Sequence, residues 1–382
     1  MERRMTQSIS LIGGQALRTD GPLETADLHL ADGLIVDAPA KDSIQIDCRR
    51  YYVLPAIIDV HGDAFEIDLH PRPGVDIAFP IAMTSVDRQL VSNGIVTAFH
   101  GLTISWEPGA RSLQAARHFM ASLTPFREQA LADHRVQLRW EVYAHEPIAD
   151  LANWLTQEPT PAIAFNDHTT STLEAMRTGK EAKLDQWARR AGVSLEDYLA
   201  LVDGVAANAP LVQDRIRDVA ALALQNDTIM LAHDEATVEE REGHRALGMQ
   251  VSEFPLNKQT AASAVEAGEH VIMGAPNVLR GGSHKGMLSA EDAIREGLCT
   301  VLASDYYYPS LLRAAEHLVT REVLALADVW KLISANAAVA MGLTDRGTLE
   351  TGKRADVIVL DQSDPWRIVH TIVGGSLVSF GQ

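Results

Sequence analysis

Short apolar runs recur along the middle of the chain, separated by longer stretches rich in Ala, Leu and Glu. The runs are AIIDV (56–60), IVTAF (95–99), VQLRWEVYA (136–144), AIAFND (162–167), TIMLAHD (228–234), VSEF (251–254), VIMGAPN (271–277) and TVLASD (300–305). Each has the length and the β-branched content of a buried strand. The stretches between them, such as RSLQAARHFMASL, space their apolar residues at helical intervals. Strands alternating with helices predict parallel βα units, and eight such units over 55–345 predict an α/β fold, a (β/α)8 TIM-like barrel. The segment 171–226 is too long for one crossover and reads as an insertion holding several helices.

The two ends have a different rhythm. SISLIGG, DLHLADG and LIVDA near the start, and TLETGKRADVIVLD and RIVHTIVGGSLVSF near the finish, alternate apolar and polar positions between Gly and Asp punctuation. That is the pattern of a small antiparallel sheet with one solvated face.

Charge narrows the partners. Lys and Arg total 33 against 51 Asp and Glu, a net −18. With no basic stripe, neither nucleic acid nor an anionic membrane surface is an expected partner. No apolar run approaches the length of a membrane span, and the opening MERRMTQSISLIGGQ lacks the apolar core of a secretory signal, so the expected location is cytoplasmic. Cys48 and Cys299 stand far apart with no CxxC, and are expected to be small buried hydrophobes.

Polar residues gather where the predicted strands end. His61-Gly62-Asp63 follows the first run, Glu141 lies late in the third, Asn166, Asp167 and His168 end the fourth, His233, Asp234 and Glu235 end the fifth, Asn277 follows the seventh, and Asp305 ends the eighth. Strand ends in a barrel converge on one mouth, where catalytic groups collect. Each residue alone has an ordinary explanation, and Asp234 and Glu235 read as caps of the next helix. Together, three His and three carboxylates suit a divalent transition metal. His61 and Asp63, two apart on a strand, face the same way.

These residues resemble the amidohydrolase superfamily, whose signature is HxH or HxD after the first strand, a bridging Lys or Glu, two later His and a final Asp. LPAIIDVHGD is similar to the superfamily's entry motif, with Ala56 where Gly is usual, and GTLETGKRADVIVLD resembles the closing strand of its composite β domain. The resemblance implies a small β-sandwich domain built from 1–54 and 346–382, beside a barrel at 55–345. HGDAFE, FNDHT, AHDEAT, MGAPNVLRGGSH and LASDYYYPSLL are similar to one branch, the α-D-ribose 1-methylphosphonate 5-triphosphate diphosphatases of phosphonate metabolism.

The resemblance implies two divalent metal ions per chain, zinc first, with Mn, Fe or Ni also suited. His61, Asp63 and Asp305 would hold one, His168 and His233 the other, and Glu141 would bridge. Asp305 would take the proton from the attacking water. Relatives carry the bridging ligand on the fourth strand, so its place in the third run predicts a short strand missing from the count above. The expected partner is a small phosphorylated sugar. Asn277, Arg280, Gly281, Gly282, Ser283, His284, Lys285 and Tyr307 are expected to bind it, with Arg280 as a phosphate fork and Glu66 supporting a ligand. A homodimer is left open. The branch departs at Thr170–Leu173 and at Lys285–Met287. A hydrolase of a cyclic amide or imide, or a deaminase with the same binuclear centre, is therefore the alternative.

Overall fold

A computed structural model describes residues 8–19, 21–72, 74–282 and 288–378. Eight parallel strands form one sheet in sequence order: β1 (Ile57–Gly62), β2 (Ile95–Ile104), β3 (Asp133–Glu141), β4 (Ala162–Asn166), β5 (Met230–His233), β6 (Val251–Glu253), β7 (His270–Gly274) and β8 (Val301–Ala303). All eight coincide with the apolar runs. Among the described residues no further strand of this sheet precedes Glu141, so the expectation of an uncounted strand is corrected: Glu141 ends the third strand of the barrel.

The sheet closes through its main chain. Gly62 pairs with Asp305 as a parallel bridge, Asp305 N–H donates to His61 O and Asp63 N–H donates to Asp305 O, both at 2.9 Å. Gly62 permits this approach, because a Cβ there would stand 2.7 Å from Asp59 Oδ2 and 3.0 Å from Ser304 Oγ. Below the seam, the buried Asp59 carboxylate accepts from Ser304 N–H at 2.9 Å and from Ser304 Oγ at 2.6 Å, tying β1 to β8.

Inside the barrel, Ile58, Val60, Phe99, Leu231, Val251 and Ile272 fill the lower half. Ala337, Ala338, Ala340, Met341 and Leu343 pack against the same cluster. The opposite faces of the strands meet the helical layer: Val136, Leu138 and Trp140 belong to a separate large cluster with Phe119, Leu123 and Leu151. Burying two faces is what makes the strands near-continuous apolar runs.

The chain ends meet in a second eight-stranded sheet. Its path runs Ser376–Val378, Arg367–Val373, Val357–Asp361, Tyr52–Pro55, Ile9–Ala16, Glu24–Ala31 and Leu34–Val36, with Ile44–Asp47 pairing alongside Ile9–Ile12. The pairings are mostly antiparallel; Ile44–Asp47 and Tyr52–Val53 both run parallel to the first strand.

The 171–226 segment is helical, as its pattern predicts. α1 (Thr169–Arg177), α2 (Glu181–Ala191) and α3 (Leu195–Ala206) build their own small core from Ala188, Ala191, Tyr198 and Val202, with Trp106, Leu173, Met176 and Trp187 at its edge. Gly192 ends α2 in the left-handed conformation and the Ser194 hydroxyl caps α3.

Candidate metal centre

The polar strand ends converge on the barrel mouth in two groups. His61, Asp63 and Asp305 each offer a donor atom within 4.8 Å of the others; so do His168, His233 and Asp234. Asp234 is a residue that sequence reasoning took for a helix cap. Thr237 instead caps the following helix, in a reciprocal capping box with Glu240. Asp234 has a positive φ of 57°, which places its Oδ2 at 3.3 Å from His233 Nδ1. Glu235 is not a cap either: it is buried and accepts from Arg241, Ser252 and His244 at 3.1, 2.6 and 2.8 Å.

Glu141 stands beside His168. Its carboxylate accepts from the His168 and Thr169 N–H groups at 3.0 and 3.3 Å and from Thr169 Oγ1 at 2.7 Å, and His168 Nδ1 lies 3.4 Å away. A different carboxylate connects the two groups. Glu253, the last residue of β6, accepts from His61 Nδ1 at 2.9 Å and stands 3.9 Å from His233 Nε2. Burial works to raise its pKa, but His61, His233 and Arg139 outweigh burial and bring it to about 2. An ionised Glu253 accepts only, so His61 Nδ1 donates and its Nε2 lone pair is left for another partner.

β3 contributes the floor of the mouth. Gln137, Arg139 and Glu141 alternate inward; Gln137 Nε2 donates to Glu253 Oε1 at 2.6 Å. The nearly buried Arg139 guanidinium lies 3.6 Å from Asp63 Oδ2 and 3.3 Å from His233 Nε2, touching a member of each group. Sequence reasoning missed Gln137, Arg139 and Glu253. The signal for the first two was present, since VQLRWEV places polar residues at every second position of an otherwise apolar run.

The donor chemistry fits divalent metal. The imidazole and carboxylate set is the one transition metals take. His233 Nδ1 is buried and, with Asp234 Oδ2 standing 3.3 Å away, makes no well-aligned hydrogen bond among the described residues, a costly state unless something else binds it. Burial lifts the Asp305 carboxyl to about 6, against the attraction of His61 and with the repulsion of Asp63. Asp305 too has a positive φ, 57°.

The expected substrate residues are placed less uniformly. The Asn277 side chain is engaged by the following loop, donating to Leu288 O at 3.4 Å and accepting from Ala290 N–H at 3.1 Å. Gly281 terminates the helix Ala275–Arg280 in the left-handed conformation and Gly282 has φ 149°. Arg280 approaches the ring of Tyr306, with Cζ 5.9 Å from its centroid. Tyr307 is exposed, and Tyr308 is a core residue. Ser283, His284 and Lys285 lie outside the described residues, as do the branch departures at Lys285–Met287. Glu66 pairs with Arg111 at 3.5 Å, and its backbone N–H donates to Asp63 O at 3.0 Å.

Comparison with known proteins gives this geometry a context. The model of the amidohydrolase family matches residues 176–378, just over half of the chain. The α-D-ribose 1-methylphosphonate 5-triphosphate diphosphatase of Escherichia coli (strain K12) is 30% identical over 329 residues, covering 84% of this chain and 85% of that protein. An adenine deaminase of Methylobacterium nodulans is 30% identical over 347 residues, 87% of this chain but 51% of its own length. Among solved structures, the dihydropyrimidinase of Brevibacillus agri superposes with a TM-score of 0.60 at 14% identity, covering 97% of this chain and 95% of that one, a likeness of fold. With HxD at the first strand end, two histidines at later ones and Asp305 at the last, the chain belongs to the amidohydrolase family.

Proposed function

We propose that the protein is a metal-dependent diphosphatase that cleaves α-D-ribose 1-methylphosphonate 5-triphosphate to the 5-phosphate and pyrophosphate. The observation that carries this reading is the 30% identity to the Escherichia coli diphosphatase over most of both chains. His61, Asp63 and Asp305 would hold one divalent ion; His168 and His233, with Asp234, would hold a second, with Glu141 beside them. Zinc is the first expectation and Mn, Fe or Ni the others. Divalent ions bound by these residues would supply an activated water and a Lewis acid for a phosphoryl oxygen.

The chain's own residues do the rest. Asp305 Oδ accepts the proton of the attacking water and returns it to the leaving phosphate oxygen. Glu253 fixes the His61 ring through Nδ1. Arg139 adds a buried positive charge between the two groups, where charge grows on the phosphoryl oxygens. Arg280 and the following glycines take the pyrophosphate end.

The test is pyrophosphate release from the triphosphate by Zn- or Mn-loaded protein. Release that stops on chelation and returns with metal is expected. No release from metal-loaded protein overturns the substrate. The second reading, hydrolysis of a cyclic amide, imide or amine, draws on the likeness to the adenine deaminase; dihydrouracil and adenine assayed in parallel decide between the two.

A further inference from the structure

Beside the metal centre lies a cavity of about 100 Å³ whose inner wall is Glu141 and His168. Three separate pieces of chain build it: the segment after β2, the first turn of α1, and the insertion helix α2. Its aromatic lining is Trp106 and Trp187, and its planar polar lining is Glu107, Arg111 and Arg190.

Each of these side chains is held in place. Trp106 Nε1 donates to Thr169 Oγ1 at 2.8 Å, which in turn donates to Glu141 Oε1 at 2.7 Å, so the indole edge is fastened to the centre itself. Arg190 Nη2 donates to both oxygens of the nearly buried Glu107, at 2.6 and 2.8 Å. Tyr198 OH donates to the same carboxylate at 3.0 Å. The Lys183 ammonium stands 4.5 Å over the Trp187 ring. Thr103, 6% exposed, lines the cavity, and its Oγ1 has no hydrogen-bond partner among the described residues.

Two indoles with a carboxylate and guanidinium in fixed planes are a particular chemistry. Aliphatic C–H faces pack on indole rings, and paired planar groups bond neighbouring hydroxyls. A bare phosphate has little use for the indoles. Because each arginine already faces a carboxylate, Arg190 with Glu107 and Arg111 with Glu66, the cavity has little net charge of its own to attract a polyanion. A hydroxylated ring, apolar on its faces and polar at its edge, meets all of these features.

We propose that this cavity is a sugar-ring subsite, taking the ribose of the substrate while the anhydride lies at the metal centre. The proposal rests on the diphosphatase reading and assigns the insertion 171–226 a function: α2 carries Trp187 and Arg190 over the mouth as the outer wall. Specificity for the sugar then belongs to α2, outside the metal ligands.

The test measures direct binding to metal-loaded protein by calorimetry, with ribose 5-phosphate as one probe and pyrophosphate as the other. Trp187→Ala is expected to weaken ribose 5-phosphate about tenfold and leave pyrophosphate within about twofold, while Trp187→Phe keeps most of the sugar affinity. Quenching of intrinsic fluorescence by ribose 5-phosphate is expected in the wild type and reduced in Trp187→Phe. Equal losses on both probes, no loss on either, or failure of the wild type to bind ribose 5-phosphate overturns the subsite. If ribose 5-phosphate binds through Trp187 but no pyrophosphate is released from the triphosphate, the subsite stands and the diphosphatase reading falls.

Discussion

Glu253 shows how one side chain sets the state of others. Its carboxyl, with a pKa of about 2, stays ionised and accepts a hydrogen bond from His61 Nδ1, and so commits the opposite nitrogen of that ring. Glu253→Gln is expected to weaken metal binding about 10- to 100-fold, the usual cost of losing such a support, as read by competition with a chelating dye. Asp305→Asn should retain metal within the same order and lose about 10²- to 10⁴-fold in turnover; near-wild-type turnover would remove Asp305 from proton transfer. The residues of the two ligand groups differ in how openly the sequence displays them. His61, Asp63, His168, His233 and Asp305 each stand at or just past the end of an apolar run, so strand-end position announces them. Asp234 does not, because beside a histidine and ahead of a helix it has the profile of a cap, and only its left-handed backbone turns it into the group. Glu253 ends a strand of three residues, too short for alternation to show which way it points.

At the scale of elements, the barrel strands were legible because burial on both faces leaves uninterrupted apolar runs, whereas contacts between elements were not. The His100 imidazole illustrates this. It follows the second run like a site residue, yet it points into the helical layer, with Nε2 2.8 Å from His134 Nδ1 and with His134 Nε2 2.9 Å from Asp87 Oδ1. Burial first, then His134 and Arg127, holds its pKa well below the ordinary value. The unfolded chain takes up a proton below about pH 6.5 that the folded chain refuses, so this contribution to stability is intact above that pH and is lost as pH falls. The melting temperature should drop between pH 7.5 and 5.5, and His100→Asn should flatten that slope. Glu235 carries a second interior dependence. Arg241→Met leaves its buried carboxylate short of its cation and should cost about 3–5 kcal/mol in urea unfolding. The insertion is the element whose placement the sequence concealed most fully: its helical periodicity was plain, but nothing in it showed that α2 reaches the Glu141 side of the mouth.

Taken as a whole, the molecule joins distant parts of the chain. The second sheet pairs Val357–Leu360 with Tyr52–Pro55, and Trp330 Nε1 donates to Pro55 O at 2.9 Å just before β1 begins. Metal binding only to the folded state adds about 2.7 kcal/mol at a hundredfold excess over its dissociation constant, so chelation should lower the melting temperature, and calorimetry with and without chelator measures it. The closing seam has a consequence for synthesis. His61 and Asp63 emerge from the ribosome early, but their group is completed only by Asp305, which hydrogen-bonds directly to His61 O. Until the eighth strand arrives, then, the chain carries two of that group's three members and no closed barrel, and the His61 group is assembled only with it. A chain truncated before Val301 is expected to leave the His61 group unformed and to bind less metal than the full chain, as read by metal titration.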